Sequence, residues 1–305
     1  MSSTSSAPSA IASFDPRSVR CVGIVAALHK RRVAAAVRDV SGWFGEHGIR
    51  AVLPSDQAAA LSLPELSVDA AEMIKEADFL LAMGGDGTFL AATRIGAPNG
   101  KPVLGINLGG YGFLASLPQA GMLASLAEAM SGCLRVEERM MLAARVLRSG
   151  QQVESFHALN DIVVGKGAFA RLFRLQTSVS GEPVSDFPAD GMIVATPTGS
   201  TGYVVAAGGP VVSPQVRAII ITPICPHALS ARTLIVSAES VVEVALPDLR
   251  GEEVNLTADG QQGLALLAGD HVEVRQAEFS ARLLCPEATS FYAKLRGKLG
   301  WQGQR

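Results

Sequence analysis

The chain has 305 residues, of which 48% are hydrophobic and 18% charged, and its formal net charge is −2. This length predicts two globular domains. The near-neutral charge, with no dense basic run except His29–Arg32, argues against a nucleic-acid partner. The four cysteines, Cys21, Cys133, Cys225 and Cys285, form no C-x-x-C pair, so we expect small apolar, reduced thiols and no zinc site.

Residues 1–18 are rich in Ser, Ala and Pro, and this composition predicts a disordered tail. The segment lacks the basic and apolar regions of a secretion signal. No apolar run in the chain reaches the roughly 18 residues of a membrane-spanning helix. We therefore expect a cytoplasmic protein without a membrane partner.

Between residues 19 and 135, patterns of buried strands alternate with helical patterns. Strands are expected at CVGIVAAL, IRAVL, DFLLAM and KPVLGIN, and helices at residues 29–48, 67–77, from Thr88 onward and at 119–131. Such alternation predicts an α/β domain with a parallel sheet that is covered on both faces.

Residues 136–280 carry a different, β-type pattern. MLAARVLRSGQQVESFHAL predicts two strands around a Ser149-Gly150 turn. Further strands are expected at DIVVG, RLFRLQTSVSG, GMIVATP, RAIIIT, SVVEVALP, EVNLTA and DHVEVRQ. The last segment, residues 281–305, returns to a helical pattern with Tyr292, Leu295 and Leu299 on one face, and we expect it to pack on the first domain.

The sequence GGDGT, Gly84–Thr88, lies between the strand DFLLAM and the following helix. Gly84, Gly85 and Gly87 can adopt positive φ and let a ligand approach the backbone, where free N–H groups bind phosphate. Asp86 is a carboxylate among these donors. It could handle a hydroxyl proton or a metal ion, or it could simply cap the helix.

Two further motifs have competing interpretations. Gly110–Ala115 fits G-x-G-x-x-A, but it comes late in the chain and lacks the following acidic residue, which favours an ordinary tight turn. Asn160-Asp161, before IVVG, could bind a ribose diol or an adenine edge, or could be a polar strand start.

The segment from Asp190 to Pro214 contains a turn rich in glycine and hydroxyl groups, which offers donors to a polar ligand. The nucleophile elbow G-x-S-x-G needs glycine where Thr198 stands, so a catalytic serine is excluded. His227 could touch substrate or make a structural hydrogen bond. ADGQ, Ala258–Gln261, has the pattern of a hairpin turn, and no P-loop sequence is present.

Taken together and in this order, GGDGT, NLGGYGFL, ND, DGMIVATPTGSTGY, AAGGPVVSP, TPICPHALSAR, ADGQ and KLGW resemble the bacterial NAD kinases. The resemblance covers nearly all of residues 20–301. It implies a two-domain fold in which residues 136–280 bind NAD. It also implies transfer of the γ-phosphoryl group of ATP to the 2′-hydroxyl of the adenosine ribose of NAD, giving NADP, with a divalent cation such as Mg²⁺.

The resemblance further implies roles for particular residues. Asp86 would accept the 2′-hydroxyl proton. The nucleotide-binding positions would be Gly84, Gly85, Gly87, Phe113, Asn160, Asp161, Arg171, Asp190, Thr198, Thr201, Gly202, Tyr203, Val204, Val205, Ala206 and Gln261. The cation would be bound through the ATP phosphates, polyphosphate could replace ATP, and the protein would be a homodimer or homotetramer.

Physical chemistry restricts the role of Asp86. Complete deprotonation of a ribose hydroxyl by a carboxylate before attack would cost on the order of 10 kcal/mol. In a loose phosphoryl-transfer transition state the nucleophile is little bonded until late. We therefore expect Asp86 to orient the hydroxyl and to take its proton as the new bond forms.

Two positions depart from the family pattern. Gly202 replaces the usual alanine and enlarges the pocket slightly, and Pro188 replaces a basic residue that influences the choice between NAD and NADH in some relatives. Two other functions compete. A lipid kinase would need an amphipathic basic membrane surface, which the sequence lacks, and Asp86 with its three glycines argues against a non-catalytic NADP-binding relative.

Overall fold

The computed structural model describes residues 13–109, 112–132, 134–167, 173–228, 230–249, 251–286, 290–298 and 300, without the side chain of Phe187. Several expectations concern residues outside these ranges. They are the tail up to residue 12, the first two residues of the G-x-G-x-x-A match, Cys133, Arg171 and Leu299.

The secondary-structure elements are numbered in chain order. The strands are β1 Ser13–Phe14, β2 Cys21–Ala26, β3 Arg50–Pro54, β4 Ser67–Val68, β5 Phe79–Gly84, β6 Val103–Asn107, β7 Leu117–Pro118, β8 Leu134–Arg148, β9 Gln151–Ala158, β10 Asp161–Lys166, β11 Phe173–Val179, β12 Glu182–Ala189, β13 Gly191–Ala195, β14 Ala218–Ile224, β15 Leu234–Ser237, β16 Val242–Ala245, β17 Val254–Ala258, β18 Gln262–Leu266 and β19 His271–Pro286. The α-helices are α1 Val33–Glu46, α2 Ser55–Leu61, α3 Ala70–Glu76, α4 Asp86–Gly96, α5 Met122–Ser131, α6 Tyr203–Ala206 and α7 Phe291–Lys298.

The chain forms two compact units, and the first contains the described residues up to Glu138 and from Arg282 onward. Its sheet has the strand order β6-β5-β2-β3-β4, with every neighbouring pair parallel. Leu283, near the end of β19, pairs in parallel with Val103. β2 and β5 are buried along their whole length, as expected for strands covered on both faces. The predicted α/β part with a parallel sheet is confirmed.

The register of this sheet brings several chain segments to one edge. Ala26 lies beside Met83, and Gly84 lies beside Asn107, so β2, β5 and β6 end together. The Leu108 N–H then donates to the Gly84 carbonyl at 2.8 Å. The segments that follow these strands therefore lie side by side at the carboxyl edge, which is where open parallel sheets bind ligands.

Helix α1 shows how the sequence pattern defines the first core. Val33, Val37, Val40 and Phe44 recur at helical spacing, and all four side chains are buried. The helix starts at Val33, not at residue 29 as expected, and ends before Gly48, whose φ is +72°. Only glycine adopts such a φ without strain, so it stops the helix.

The second unit, Arg139–Ala281, is β-rich, as the sequence predicted. One antiparallel sheet has the order β15-β14-β13-β10-β17-β18, and a second antiparallel set has the order β12-β11-β16-β19. Apolar side chains from both sets share one core, to which Ile162 and Val194 contribute from the first and Leu175 from the second. β8 and β9 form the predicted hairpin, with Ser149 at φ 51° and Gly150 at φ 77°.

The expected tail is too long. Ser13 and Phe14 pair with Arg135 and Leu134 as β1, and the Phe14 ring lies 5.9 Å from that of Phe79 in an edge-on contact. Composition suggested disorder up to residue 18, but strand pairing and the Phe14 ring attach this segment to the first unit.

Other elements differ from the prediction in type or position. The segment 67–77 contains a short strand, β4, and then α3, which begins where the Asp69 side chain accepts the Ala71 N–H at 2.8 Å. Helix α4 begins at Asp86, before the expected Thr88. The sequence did not predict α2, β12, β15 or β18.

Two side chains are placed differently from expectation. Tyr292 is 60% exposed, whereas Leu295 on the same helix is buried, so Tyr292 does not belong to the packed face of α7. Cys225 is exposed, unlike the buried Cys21 and Cys285, and does not act as a small core residue. Among the helices of the described ranges, none is long and apolar enough to cross a membrane.

Candidate active site

The GGDGT sequence joins β5 to α4. Gly84 ends the strand, Gly85 is the N-cap and Asp86 is the first helical residue. Neither Gly84 nor Gly85 has a positive φ, and Gly87 lies inside the helix, so the expected left-handed conformations are wrong. Close packing explains Gly84 instead, because a Cβ there would overlap the Thr88 side chain.

The Asp86 carboxylate binds the loop that follows β6. Its Oδ2 accepts the Phe113 N–H at 2.7 Å, and its Oδ1 accepts the Leu114 N–H at 3.1 Å. A Cβ at residue 112 would overlap Oδ1, so Gly112 permits this approach. Asp86 is not the helix cap, because Gly85 is the N-cap residue and Asp86 is the first residue inside the helix, with both carboxylate oxygens bound to amides of the loop. Phe113 meets Asp86 through its backbone.

A short basic segment, Lys30–Arg32, follows β2 toward the same edge of the sheet. The Lys30 ammonium donates to the Gly109 carbonyl at 2.9 Å, and Arg31 and Arg32 are exposed. Cations beside a glycine turn and a helix N-terminus favour phosphate binding. Sequence reasoning gave these residues no role, because three cations without a fold around them do not make a motif.

The donor set fits a cation that is held mainly by other groups. Within the part of the chain that the structure describes, no group of three or more His, Cys, Asp or Glu side chains could hold a metal ion. Asp86 is the one acidic side chain of the glycine turn. Mg²⁺ typically keeps several waters and binds one or two carboxylates plus substrate phosphates, which agrees with this sparse supply.

The second unit contains a cavity of about 300 Å³, here called the Asp161 cavity. Its lining is formed by Asn160, Asp161, Val163, Tyr203, Thr257, Asp259 and Gly260. Asp161 is the first residue of β10 and Asn160 directly precedes it, whereas Tyr203 is the first residue of α6. The structure thus brings together three of the residues that the sequence selected. The volume is near the lower end of the roughly 300–1,000 Å³ of ligand pockets.

The Asp161 carboxyl is in an unusual electrostatic environment. Only 6% of Asp161 is exposed. Burial, followed by the charge of Asp259, raises the pKa of Asp161 to about 7. The group therefore titrates close to neutral pH, and a bound partner can shift its protonation state. A carboxyl so perturbed in a cavity is typical of functional sites.

Asp259 is a site residue that the sequence analysis missed. It lies at φ 51° in the turn between β17 and β18. Its Oδ1 accepts the N–H groups of Asn160 at 2.8 Å and Asp161 at 3.3 Å, and its Oδ2 accepts that of Leu159 at 3.1 Å. Asp-Gly was correctly predicted as a hairpin turn. The side chain, however, fixes the backbone that carries the first two cavity residues.

The turn after β13 packs against the same backbone. The Thr196 hydroxyl donates to the Leu159 carbonyl at 2.6 Å and accepts the Gly199 N–H at 3.0 Å. A Cβ at Gly199 would overlap the Asn160 carbonyl. A Cβ at Gly202 would lie 3.6 Å from Asn160 Nδ2 and 4.0 Å from Asp161 Oδ2. The residue at 202 therefore lies close to two residues of the cavity lining, and an alanine side chain there would add volume beside them.

The hydroxyls of this turn are bound to the protein itself. Ser200 is fully buried, and its hydroxyl donates to the Pro197 carbonyl at 2.6 Å, which fits a structural role and not a nucleophile. The Thr201 hydroxyl donates to the Thr198 carbonyl at 3.2 Å. Thr198 Oγ1 in turn accepts a hydrogen bond from the Arg139 guanidinium at 3.3 Å.

The residues of α6 divide by burial. Val204 is fully buried and packs with Val163 and Ile193 in a small core, so its side chain does not face the cavity. Val205 is partly buried and Ala206 is exposed. Of the predicted run Thr201–Ala206, Tyr203 is the residue that belongs to the lining of the Asp161 cavity, and a role of the others in binding stays a prediction.

Asp190, Gln261 and His227 lie apart from the lining of the Asp161 cavity. Asp190 forms an ion pair with Lys166 at 2.8 Å. Gln261 is exposed, and its N–H donates to the Ala258 carbonyl. His227 is also exposed, and its N–H donates to the Pro188 carbonyl at 3.0 Å. Arg171, also expected to bind nucleotide, is outside the described residues.

A GGDG turn at the carboxyl edge of a parallel sheet, followed by a β-rich unit, defines a class of two-domain kinases. Comparison with known proteins agrees with this class. A model described as "ATP-NAD kinase N-terminal domain" matches residues 23–134, and one described as "ATP-NAD kinase C-terminal domain" matches residues 159–285. The chain belongs to the NAD kinase family.

Curated relatives and solved structures show the same likeness. The chain is 45% identical to the NAD kinase of Moorella thermoacetica, covering 93% of this chain and 90% of the relative, and 43% identical to that of Desulforamulus reducens, covering 92% and 98%. The structure of yeast NADH kinase complexed with NADH has a TM-score of 0.84 at 25% identity, covering 94% of this chain and 89% of that one. An NAD kinase from Archaeoglobus fulgidus in complex with ATP gives 0.71 at 26% identity, covering 93% and 100%.

Proposed function

We propose that this chain transfers the γ-phosphoryl group of ATP to the 2′-hydroxyl of the adenosine ribose of NAD, giving NADP. The observation that carries the proposal is the intact GGDG turn, with Asp86 fixed by two backbone amides, in a chain whose two halves both match NAD kinase domains. Relatives named NAD kinase cover more than nine-tenths of the chain, which supports NAD as the acceptor.

Asp86 orients the hydroxyl and takes its proton late. Each oxygen already accepts one backbone N–H, but an ionised carboxylate has about four lone-pair sites, so acceptor capacity remains. The two amides hold the side chain in one orientation, which lowers the entropic cost of aligning the reacting groups. Asp86, the proton acceptor, is therefore already in position before NAD binds.

The glycine turn and its surroundings bind the phosphate donor. Gly84, Gly85 and Gly87 keep the turn free of side chains at the start of α4, a helix of 11 residues whose N-terminus favours anions. Lys30 and its basic neighbours add positive charge. A divalent cation bound with ATP would neutralise charge on the phosphates, and Asp86 is the side chain of the turn that could touch it.

The Asp161 cavity takes the adenosine part of NAD. Asn160 and the Asp161 carboxyl supply hydrogen-bonding groups suited to an adenine edge and a ribose diol, and Tyr203 supplies an aromatic ring. Thr198, Thr201 and Gly202 belong to the turn that packs on this backbone. The ion-paired Asp190 would contact the nicotinamide end or a neighbouring ribose.

Formation of NADP by the purified full-length protein tests the function. ATP, Mg²⁺ and NAD are supplied, with NADH and polyphosphate in separate reactions, and NADP is measured by chromatography. We expect product with NAD and ATP, and a loss of about 10²-fold or more in Asp86→Asn. The exposed Glu65→Gln, which also removes a carboxylate, should match the parent. No NADP above a blank without enzyme, or full activity in Asp86→Asn, would refute the proposal.

We also propose a homodimer or homotetramer in the cytoplasm, on the basis of the family resemblance. Light scattering coupled to size-exclusion chromatography measures the assembly directly, and a monomer at micromolar concentration would contradict it. Fractionation of cells that express the chain tests the compartment.

A further inference from the structure

We propose that Lys294, on α7, is a positioning residue for Asp86 and acts through the peptide group that joins Phe113 to Leu114. This inference rests on the proposed function and deepens it. It assigns a role in the reaction to the C-terminal helix, about 200 residues after the glycine turn.

The three groups form a continuous chain of hydrogen bonds. The Lys294 ammonium donates to the Phe113 carbonyl oxygen at 3.1 Å. The N–H of that same peptide group, which belongs to Leu114, donates to Asp86 Oδ1 at 3.1 Å. A cation on the carbonyl side polarises the peptide and makes its N–H a better donor to the carboxylate. One peptide group thus connects the ammonium to the carboxylate.

Secondary contacts hold the loop from both sides. Lys294 Nζ also lies 3.5 Å from the Leu114 carbonyl and 3.4 Å from Ser116 Oγ. On the other side, the Phe113 N–H donates to Asp86 Oδ2 at 2.7 Å. Phe113 and Leu114 are therefore bound by the Lys294 ammonium at their carbonyl groups and by the Asp86 carboxylate at their N–H groups.

Lys294 is well placed to act at this point. Its side chain is partly buried, whereas its helical neighbour Arg296 is exposed. Burial reduces screening by water and salt, so the ammonium polarises the peptide more strongly than a surface cation would. The buried Leu295 fixes α7, and with it the origin of the Lys294 side chain.

Loss of the ammonium should affect chemistry more than substrate binding. The Phe113 carbonyl would lose a charged donor, and the loop would hold the Asp86 carboxylate less firmly. Orientation of the hydroxyl matters most in the transition state, so the loss should appear in kcat and not in KM. If Lys294 only stabilised the fold, its replacement would lower the melting temperature without lowering kcat selectively over KM.

The kinetic test compares three variants of the full-length protein. Lys294→Met keeps the aliphatic stem and removes the charge, Lys294→Arg keeps a charge with N–H donors, and Arg296→Met removes an exposed cation from the same helix. We expect kcat to fall by about 10-fold or more in Lys294→Met with both KM values within about twofold. Lys294→Arg should recover most of the loss, and Arg296→Met should match the parent.

Hydrogen exchange gives a readout that does not depend on activity. In Lys294→Met, the amides of Phe113 and Leu114 should exchange about 10-fold faster or more than in the parent, whereas Lys294→Arg and Arg296→Met should leave them protected. Unchanged exchange in Lys294→Met would overturn the inference, and so would a parental kcat. If the parent makes no NADP but the parent and variants show the expected exchange pattern, the proposed function is refuted, whereas the contact between Lys294 and the loop is supported.

Discussion

Replacing Asp161 by asparagine should change how the stability of the protein depends on pH. In the folded protein the pKa of Asp161 is raised to about 7 from its ordinary value of 3.8, first by burial and then by the charge of Asp259. The folded state therefore keeps this proton over a pH range in which the unfolded chain has lost it. Between these two values, the free energy of unfolding must fall as pH rises.

The magnitude follows from the pKa difference. One bound proton per molecule corresponds to about 1.4 kcal/mol for each pH unit inside the window. Between pH 5 and pH 8 the loss of unfolding free energy should reach about 2–3 kcal/mol, and it levels off as the folded group becomes fully ionised. Asp161 is only 6% exposed, so solvent screening does not reduce this figure strongly. An asparagine at position 161 cannot ionise, so the variant does not lose this unfolding free energy as the pH rises.

Urea unfolding at pH 5, 6, 7 and 8, followed by circular dichroism without nucleotide, measures the effect. The difference in unfolding free energy between Asp161→Asn and the parent should shift in favour of the variant by about 2–3 kcal/mol across this range. Glu278→Gln removes a carboxylate that is 92% exposed and should show no such trend. A difference between Asp161→Asn and the parent that stays constant with pH would refute the reasoning.

Three further predictions concern the same cavity. NAD should bind close to 10-fold more tightly at pH 8 than at pH 6, because ionised Asp161 accepts hydroxyl hydrogen bonds. Calorimetry measures the affinity, which should not depend on pH in this way in Asp161→Asn. An affinity of the parent for NAD that does not change with pH would contradict this prediction. Asp259→Ala removes the acceptor of three backbone N–H groups and should cost about 2–4 kcal/mol in urea unfolding; parental stability would count against this role. Gly199→Ala forces a Cβ into the Asn160 carbonyl. It should lower the free energy of unfolding by more than about 1 kcal/mol and raise the KM for NAD. The control Gly42→Ala places a Cβ in open space on α1 and should raise the free energy of unfolding by up to about 1 kcal/mol.

The sequence predicted those elements whose burial is uniform. β2, β5 and β13 are continuous apolar runs, and each is buried throughout, so their pattern reflects their position. β12, with the sequence EPVSDFPA, was missed because its two prolines and polar residues argue against a strand. Its pairing with β11 along most of its length forms the strand nonetheless.

Side-chain contacts between distant residues were beyond sequence reasoning. The pattern located Asp86 and Asn160-Asp161, because glycines and polar pairs at strand ends are local signals. It could not show that Asp86 binds the amides of Phe113 and Leu114, since that contact depends on where β6 ends beside β5. Likewise, nothing local in ADGQ reveals that Asp259 holds a backbone 98 to 100 residues earlier.

Both units are completed by parts of the chain that are synthesised late. The backbone of the Asp161 cavity needs the hydrogen bonds of Asp259, and the edge of β6 needs its parallel partner Leu283. The loop beside Asp86 needs the hydrogen bond from Lys294. Chains emerge from the ribosome N-terminus first, and domains normally fold in that order. Here a nascent chain cannot finish its first unit until Lys294, about 200 residues after the glycine turn, has been synthesised. Premature termination would therefore leave an open sheet edge for chaperones or proteases to recognise.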